Sequence, residues 1–185
     1  MSAAQADPRS DEQLVQAIRT GDVDAFEVLY RRHRDWVVNL AYRFTRDRDR
    51  ALDVMQETFA YVSRKAPTLE LTARFTTFLY PVVHHLAIAE DRRARRHTSV
   101  PEEVLQSMPA ADQGGTHDPR TELAAVLERL SEAHREVVLL RFVDGLSLDE
   151  IARALEIPAG TVKSRLHHAI RTLRADPRVK KYFEA

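Results

Sequence analysis

Residues 146–174 constrain the fold of this chain more narrowly than any other segment. Ser147 and Glu150 have the spacing of a capping box, in which a hydroxyl and a carboxylate satisfy the free amides at a helix start. An apolar face at helical spacing follows, formed by Leu148, Ile151, Ala152 and Leu155. Residues 157–160 include a proline and a glycine, which should end this helix, and Thr161 is predicted to cap a second one. The pattern therefore predicts a helix-turn-helix.

The second of these helices is predicted to have a polar, basic outer side. At 100° per residue, that side bears Ser164, His167, His168 and Arg171, with Lys163 and Arg165 flanking it. Residues 161–181 contain seven Lys and Arg residues and one acid. Basic groups neutralise phosphates and short polar groups reach base edges, so the pattern is typical of a helix that enters the major groove. A helical hairpin with a solvated basic face is the alternative.

The rest of the chain is also predicted to be helical, because 185 residues include 5 glycines and 8 prolines. Apolar residues recur at helical spacing over 11–97, where Asp11 and Asp22 are predicted to be N-caps, and again from 121. Between them, residues 98–119 contain three prolines, a Gly-Gly pair and four acids but no Lys or Arg. We therefore predict an all-α chain of two small helical domains: a disordered lead at 1–10, a domain at 11–97, a flexible linker at 98–120 and a helix-turn-helix domain at 121–185.

Composition excludes several classes of protein. The absence of cysteine excludes disulfide scaffolds and thiolate metal sites. No apolar run approaches the ~20 residues of a membrane span, and residues 1–10 show no hydrophobic signal segment. The histidine pairs, His84-His85 and His167-His168, are sequence neighbours that point about 100° apart on a helix. We expect a cytoplasmic protein that is not an enzyme and has no metal site or cofactor.

An acidic and amide flank is predicted on the helix at 51–65. Its apolar stripe is formed by Leu52, Met55, Phe59 and Val62. Asp53, Gln56 and Glu57 fall beside that stripe, at positions i, i+3 and i+4. From the residues alone, these side chains are interpreted as solvated surface groups.

A basic and aromatic helix is predicted at residues 74–97. Off its apolar stripe lie Thr77, Tyr80, His84 and Arg95, and its end contains Arg92 and Arg93. An aromatic ring beside hydroxyls and cations suits single-stranded DNA, which needs a stacking surface and phosphate neutralisation. A basic end also complements the helix dipole, which is the commoner explanation. Pro81 should kink or divide this helix.

Three motifs in this order resemble the extracytoplasmic-function sigma factors, which give bacterial RNA polymerase its promoter specificity. The first motif is ALDVMQETF at 51–59, and the second runs from RFTTFLY at 74–80 to DRR at 91–93. The third is LSEAHREVVLLR at 130–141 together with the helix-turn-helix and its GTVKSR run at 160–165. The resemblance covers residues 11–174.

The resemblance implies a role for each surface. Asp53, Gln56 and Glu57 would dock on the clamp helices of core RNA polymerase. The downstream promoter element and the melted non-template strand would be bound by Thr77, Tyr80, His84, Arg92, Arg93 and Arg95. The duplex upstream element would be bound by Arg141, Thr161, Lys163, Ser164, His167, His168 and Arg171. An anti-sigma protein is a further implied partner.

Two other classes of function remain open on the sequence. A stand-alone helix-turn-helix regulator would bind promoter DNA tightly without polymerase, but it would leave the Asp53 flank without a purpose. A metal-dependent nuclease would cleave DNA only with a divalent ion, and no convergent set of acid, base or ligand residues is legible.

Overall fold

The computed structural model describes residues 7–97 and 124–177. Two compact units divide the chain, Met1–Ser99 and Val100–Ala185, and we call them unit 1 and unit 2. All regular structure in the described residues is helical, which confirms the predicted fold class. The predicted linker at 98–120 and the basic residues of the 178–185 tail lie outside the described residues.

Unit 1 contains α1 (Asp11–Arg19), α2 (Val23–Thr45), α3 (Arg48–Lys65), a 3-10 turn (Ala66–Thr68) and α4 (Phe75–His97). The long helix α2 packs against α1, α3 and α4, and α3 also packs against α4. The largest fully buried side chains of the unit include Leu14, Leu29, Leu40, Phe75, Leu79 and Tyr80. Because α4 packs against two neighbouring helices, more than one of its faces is buried.

Helix α1 begins with a capping box at Ser10, one residue before the predicted N-cap. The amide of Gln13 donates to the Ser10 hydroxyl at 3.2 Å, and the Ser10 amide donates to Gln13 Oε1 at 2.8 Å. Asp11 was predicted to be the N-cap, and that prediction is wrong because Asp11 lies in the first turn. Asp22 is the N-cap of α2, as predicted, and accepts from the Ala25 amide at 3.0 Å.

Asp11 instead anchors the start of the chain to α2. Its carboxylate accepts from Arg32 Nη1 at 2.6 Å and pairs with His33 Nε2 at 2.8 Å. Partial burial raises the pKa of Asp11, but the hydrogen bonds from His33 and Arg32 outweigh burial, and the pKa lies below its ordinary value. Arg32 also donates to the carbonyls of Asp7 and Arg9. These contacts join residues 7–10, which belong to the predicted lead, to α2.

Unit 2 contains a helical turn at 124–127, then α5 (Glu132–Phe142), α6 (Leu148–Ala154) and α7 (Ala159–Ala175). Helix α7 packs against both α5 and α6. One buried apolar cluster is formed by Val126, Leu130, Val138, Ala169 and Leu173. Ile151 of α6 and Val162 of α7 are also fully buried.

The two helices of the predicted helix-turn-helix begin in different ways. The capping box of α6 is present as predicted, with Glu150 N–H donating to Ser147 Oγ at 3.2 Å and Ser147 N–H donating to Glu150 Oε2 at 2.8 Å. Helix α7 has Pro158 as its N-cap and no side-chain cap. The prediction that Thr161 caps α7 is wrong, because Thr161 is already inside the first turn and its amide donates to the Pro158 carbonyl at 2.8 Å.

Pro81 lies inside α4, which runs unbroken from Phe75 to His97. Pro81 was predicted to kink or divide the helix, and of these two outcomes division is wrong. Proline removes the amide that would donate to the carbonyl four residues earlier, which belongs to Thr77. Burial of the neighbouring residues Leu79, Tyr80 and Val83 supplies the packing that keeps the helix continuous.

Candidate nucleic-acid interface

The acidic flank of α3 is exposed. Asp53, Gln56 and Glu57 all face solvent, whereas the opposite side of the helix buries Val54, Met55, Thr58 and Phe59. Leu52 was predicted to belong to the buried stripe, but its exposure is 37%, so that prediction is wrong. The stripe is instead completed by Ala51 and Val54, because α3 packs against two helices rather than one. The exposed surface of α3 therefore combines one apolar side chain with acidic and amide groups.

The predicted downstream-element residues do not share one exposed face. Tyr80 and Thr77 are 2% and 6% exposed, so the prediction that they lie off the buried surface of α4 is wrong. Simple periodicity assigned them to the outside, but α2 and α3 together cover their side of the helix. The Tyr80 ring stacks on His84, with ring centroids 6.1 Å apart and planes 7° apart. His84 is half-buried and also meets the edge of Phe44.

The far end of α4 presents exposed cations. Arg92, Arg93 and Arg95 face solvent. Asp91 receives the Arg95 Nε hydrogen bond at 2.8 Å and pairs with Arg50 Nη1, from α3, at 3.3 Å. This end of α4 is therefore fixed against the start of α3. We infer that it offers charge for phosphate contact rather than a stacking surface.

The predicted recognition helix α7 has the expected outer face. Lys163, Ser164, His167, His168 and Arg171 are exposed, and Thr161 is half-buried. Arg171 Nη2 lies 3.2 Å from His168 Nδ1. Because a guanidinium only donates, Nδ1 is assigned as the acceptor and the proton of a neutral His168 ring as lying on Nε2. The His134 ring of α5 lies nearly parallel to that of His168, with centroids 6.2 Å apart.

Arg141 has a structural contact that the sequence did not predict. Its Nη1 donates to the Leu146 carbonyl at 2.9 Å, in the connection that leads into α6. Arg135, which was not singled out, similarly donates to the carbonyls of Leu127, Glu128 and Leu130. Arginine side chains thus hold the connections that precede α5 and α6. Most of their carbonyl partners lie outside regular helix, where periodicity makes no prediction.

Two further exposed arginines, Arg46 and Arg48, were also missed. Arg46 lies on the connection between α2 and α3 and Arg48 is the first residue of α3, both within the run RFTRDRDR at 43–50. The density of arginine in that run is the signal that would have found them.

Neither a metal cluster nor a membrane-spanning helix is present in the described part of the chain. No group of three or more His, Cys, Asp or Glu residues there is arranged to hold a metal ion. No helix there is long and apolar enough to cross a membrane.

Known families match both units. The family described as sigma-70 region 2 matches residues 29–97, and the family described as sigma-70, region 4 matches residues 120–173. The RNA polymerase sigma-E factor of Streptomyces coelicolor is 35% identical over 156 residues, which cover 84% of this chain and 88% of that protein. This chain belongs to the extracytoplasmic-function sigma factors of the sigma-70 family. Its class is therefore that of a transcription initiation factor, as the motifs implied.

Two further members of the family are similar to this chain in sequence over most of their length. The extracytoplasmic-function RNA polymerase sigma factor SigW of Bacillus subtilis is 29% identical over 173 residues, covering 86% of this chain and 92% of that one. SigL of Mycobacterium tuberculosis is 33% identical over 172 residues, covering 86% and 93%. Region 2 thus includes the α3 flank and α4, and region 4 includes α5 to α7 up to residue 173.

Solved structures share the fold. CnrH, in complex with the cytosolic domain of CnrY, is similar with a TM-score of 0.65 at 23% identity, covering 90% of this chain and 96% of that one. The sigma factor RpoE of Bartonella quintana, in complex with the anti-sigma factor NepR, has a TM-score of 0.60 at 21% identity, covering 82% and 96%.

Proposed function

We propose that this chain binds core RNA polymerase through the exposed flank of α3 and promoter DNA through both units. The observation that carries the proposal is the pairing of two surfaces. An exposed acidic flank lies in the region 2 match, and an exposed basic helix-turn-helix face lies in the region 4 match. The chain has no reaction of its own in this proposal. It needs no cofactor and acts in the cytoplasm.

Polymerase docking is assigned to Asp53, Gln56 and Glu57. Their exposure leaves both carboxylates and the amide available to cations and hydrogen-bond donors of a partner. Leu52 adds an apolar contact at the edge of the flank. A polar surface with a partly exposed leucine is a reasonable docking patch, because interface cores exclude water with apolar side chains while polar groups set register.

Upstream promoter recognition is assigned to the outer face of α7. Lys163 and Arg171 supply charge for phosphates, whereas Ser164, His167 and His168 are short enough to reach base edges. With its proton on Nε2, His168 presents a donor to acceptors such as guanine N7 and O6. Arg141, at the end of α5, and Thr161, in the first turn of α7, support this surface.

Binding of the downstream promoter element is assigned to α4, with its exposed residues separated from its buried ones. The arginines Arg92, Arg93 and Arg95 are exposed and suit phosphates, and half-buried His84 lies about two turns earlier in the helix. Thr77 and Tyr80 would contact an unstacked base only after their cover moves, because both are buried. Opening costs on the order of 1.4 kcal/mol per base-pair step, and trapping an exposed base by stacking returns ~1–3 kcal/mol. A few captured bases therefore stabilise an opened segment.

Run-off transcription tests the function directly. Core RNA polymerase is incubated with genomic fragments from the source cell, with and without this chain. We expect discrete transcripts that depend on the chain. Tight, sequence-specific binding of the same fragments by the chain alone, with no chain-dependent transcripts, would favour the stand-alone regulator instead.

A dedicated anti-sigma protein is proposed as a further partner. Two proteins of this fold were solved as complexes, CnrH with the cytosolic domain of CnrY and the sigma factor RpoE with the anti-sigma factor NepR. The exposed α3 flank is a surface that such an inhibitor would compete for. Affinity purification of the tagged chain from its source cell should recover one protein that blocks chain-dependent transcription when added back. Recovery of core polymerase subunits alone would contradict the proposal.

A further inference from the structure

Arginines crowd one end of unit 1, where three helix ends meet. The segments 43–50 and 90–96 each contain four arginines and two acids. The connection between α2 and α3 spans residues 46–47, and the Arg50–Asp91 ion pair of 3.3 Å joins the start of α3 to the end of α4. We call the arginine pole the set Arg46, Arg48, Arg50, Arg92, Arg93 and Arg95.

Helix dipoles explain only part of this charge. Cations are favourable at a helix C-terminus, which accounts for the arginines at the end of α4. Arg48 is the first residue of α3, where the positive end of the dipole disfavours a cation. Its charge is therefore not there to stabilise its own helix.

The charge of Arg46 suits the C-terminal end of α2, but its backbone conformation is unfavourable for an arginine. It ends α2 in the left-handed conformation, with φ at 53° and ψ at 19°. Glycine or asparagine adopts this conformation at less cost, because the Cβ of a longer residue crowds the backbone. The sequence thus retains an arginine at a position that favours another residue.

Neither arginine is used inside the unit. Both are exposed, and among the described residues neither guanidinium has an ion-pair or hydrogen-bond partner. Two of the neighbouring acids are committed elsewhere: Asp47 caps α3 through the Arg50 amide, and Asp91 is shared by Arg50 and Arg95. Two exposed, unpaired cations two residues apart, one in a strained conformation and one at a helix start, indicate an external anionic partner.

We propose that the arginine pole binds the phosphate backbone of duplex DNA, so that Arg46 and Arg48 extend the phosphate contact assigned above to Arg92, Arg93 and Arg95. The choice of DNA as the polyanion rests on the proposed function. Phosphate contact alone is expected, because guanidinium groups pair with phosphates without reading sequence. Tyr42, which is 49% exposed, is the nearest exposed aromatic along α2, and one ring is a poor platform for the successive bases of a single strand.

The test uses the full chain and a labelled duplex of about 30 mixed-sequence base pairs, with fluorescence anisotropy at salt from about 50 to about 200 mM. The variant is Arg46→Gly with Arg48→Ala. Loss of two phosphate contacts should lower the slope of log affinity against log salt by about 2, so the affinity deficit at the low salt exceeds that at the high salt about tenfold. The glycine relieves the strained conformation, so the melting temperature should not fall.

Two control variants separate charge position from net charge and from side-chain shape. Arg46→Lys with Arg48→Lys keeps both cations and should retain the wild-type slope. Arg31→Ala with Arg34→Ala removes two exposed arginines of α2 that are paired with Glu27 and Asp35, and it should leave the slope nearly unchanged.

Three results would overturn the proposal: no duplex binding by the wild-type chain, an unchanged slope in the Arg46→Gly, Arg48→Ala variant, or an equal loss in the Arg31, Arg34 control. Preferential binding of the matching single strand, lost in Tyr42→Ala, would assign the pole to single-stranded DNA instead. Run-off transcription by the wild-type chain is scored separately. Normal transcription with a negative anisotropy result would reject the pole while leaving the proposed function intact.

Discussion

At the scale of a single residue, Thr77 carries a hydroxyl that destabilises the fold. Its side chain is 6% exposed, and among the described residues its hydroxyl has no hydrogen-bond partner. Its backbone carbonyl also faces Pro81, four residues later, which has no amide to donate. An unpaired buried hydroxyl costs about 1–3 kcal/mol. Unit 1 therefore carries a destabilising group within the helix to which downstream binding is assigned.

We expect Thr77→Val to stabilise the chain by about 1 kcal/mol, because it keeps the shape and removes the unpaired hydroxyl. Urea unfolding of the full chain, followed by Trp36 fluorescence, measures the effect. Thr45→Val is the matched control, since the buried Thr45 hydroxyl donates to the Asp47 carbonyl at 3.0 Å and its removal should destabilise. Equal destabilisation by both substitutions would contradict the expectation. A stabilised Thr77→Val variant that opens promoters less well would assign the hydroxyl to DNA.

At the scale of an element, the turn between α6 and α7 also contains a residue that destabilises the fold. Glu156 adopts φ at 54°, and the Ile157 amide donates to the Ala152 carbonyl at 3.0 Å as the chain leaves α6. Such a position favours glycine, because a Cβ is strained there. The sequence signals of this turn, a proline and a glycine at 158 and 160, fall after the left-handed residue.

Glu156→Gly should therefore stabilise unit 2 by about 0.5–1 kcal/mol. Amide hydrogen exchange of buried Ile151 and Val162 reports this unit, because the single tryptophan lies in unit 1. Gly145→Ala is a control for which the opposite effect, a loss of stability, is expected. Gly145 has φ at 69°, where a Cβ is strained even though the space around it is free. Faster exchange in Glu156→Gly than in the wild-type chain would show that the glutamate makes a stabilising contact.

At the scale of the whole molecule, the proposed docking and reading surfaces belong to different units. We expect Asp53→Ala with Glu57→Ala to weaken capture of core RNA polymerase at least severalfold, because both removed carboxylates are exposed and are not needed for the fold. The charge-matched control is Glu12→Ala with Glu70→Ala, which removes two exposed acids elsewhere in unit 1. Unchanged capture by a folded Asp53, Glu57 variant would remove this flank from the docking surface.

Substitutions on the outer face of α7 should affect DNA recognition and not polymerase capture. Ser164→Ala or His168→Ala should leave polymerase capture intact but change the preferred upstream sequence, by roughly 1–3 kcal/mol at one base position. Lys163→Ala should weaken binding to all sequences if it contacts phosphate. Selection from a randomised upstream pool by the reconstituted holoenzyme separates these cases. The same preferred sequence for all three variants would refute the assignment of the outer face.

The sequence by itself determined the features that depend on neighbouring residues. The capping box at Ser147 and Glu150 fixed the start of α6, and helical spacing fixed the exposed flank of α3 and the outer face of α7. These features follow from hydrogen bonds and side-chain directions within one or two turns, which the order of residues specifies. The motifs also identified the family.

Only the tertiary structure decided which helix has a second buried face and which distant partners the long side chains reach. Tyr80 and Thr77 are interior because α4 packs against two helices, and periodicity describes a single buried stripe. Arg50 reaches Asp91 across 41 positions of the chain, and the meeting of these helix ends creates the arginine pole. Contacts between distant segments depend on how helices pack together, and local spacing contains no information about that packing.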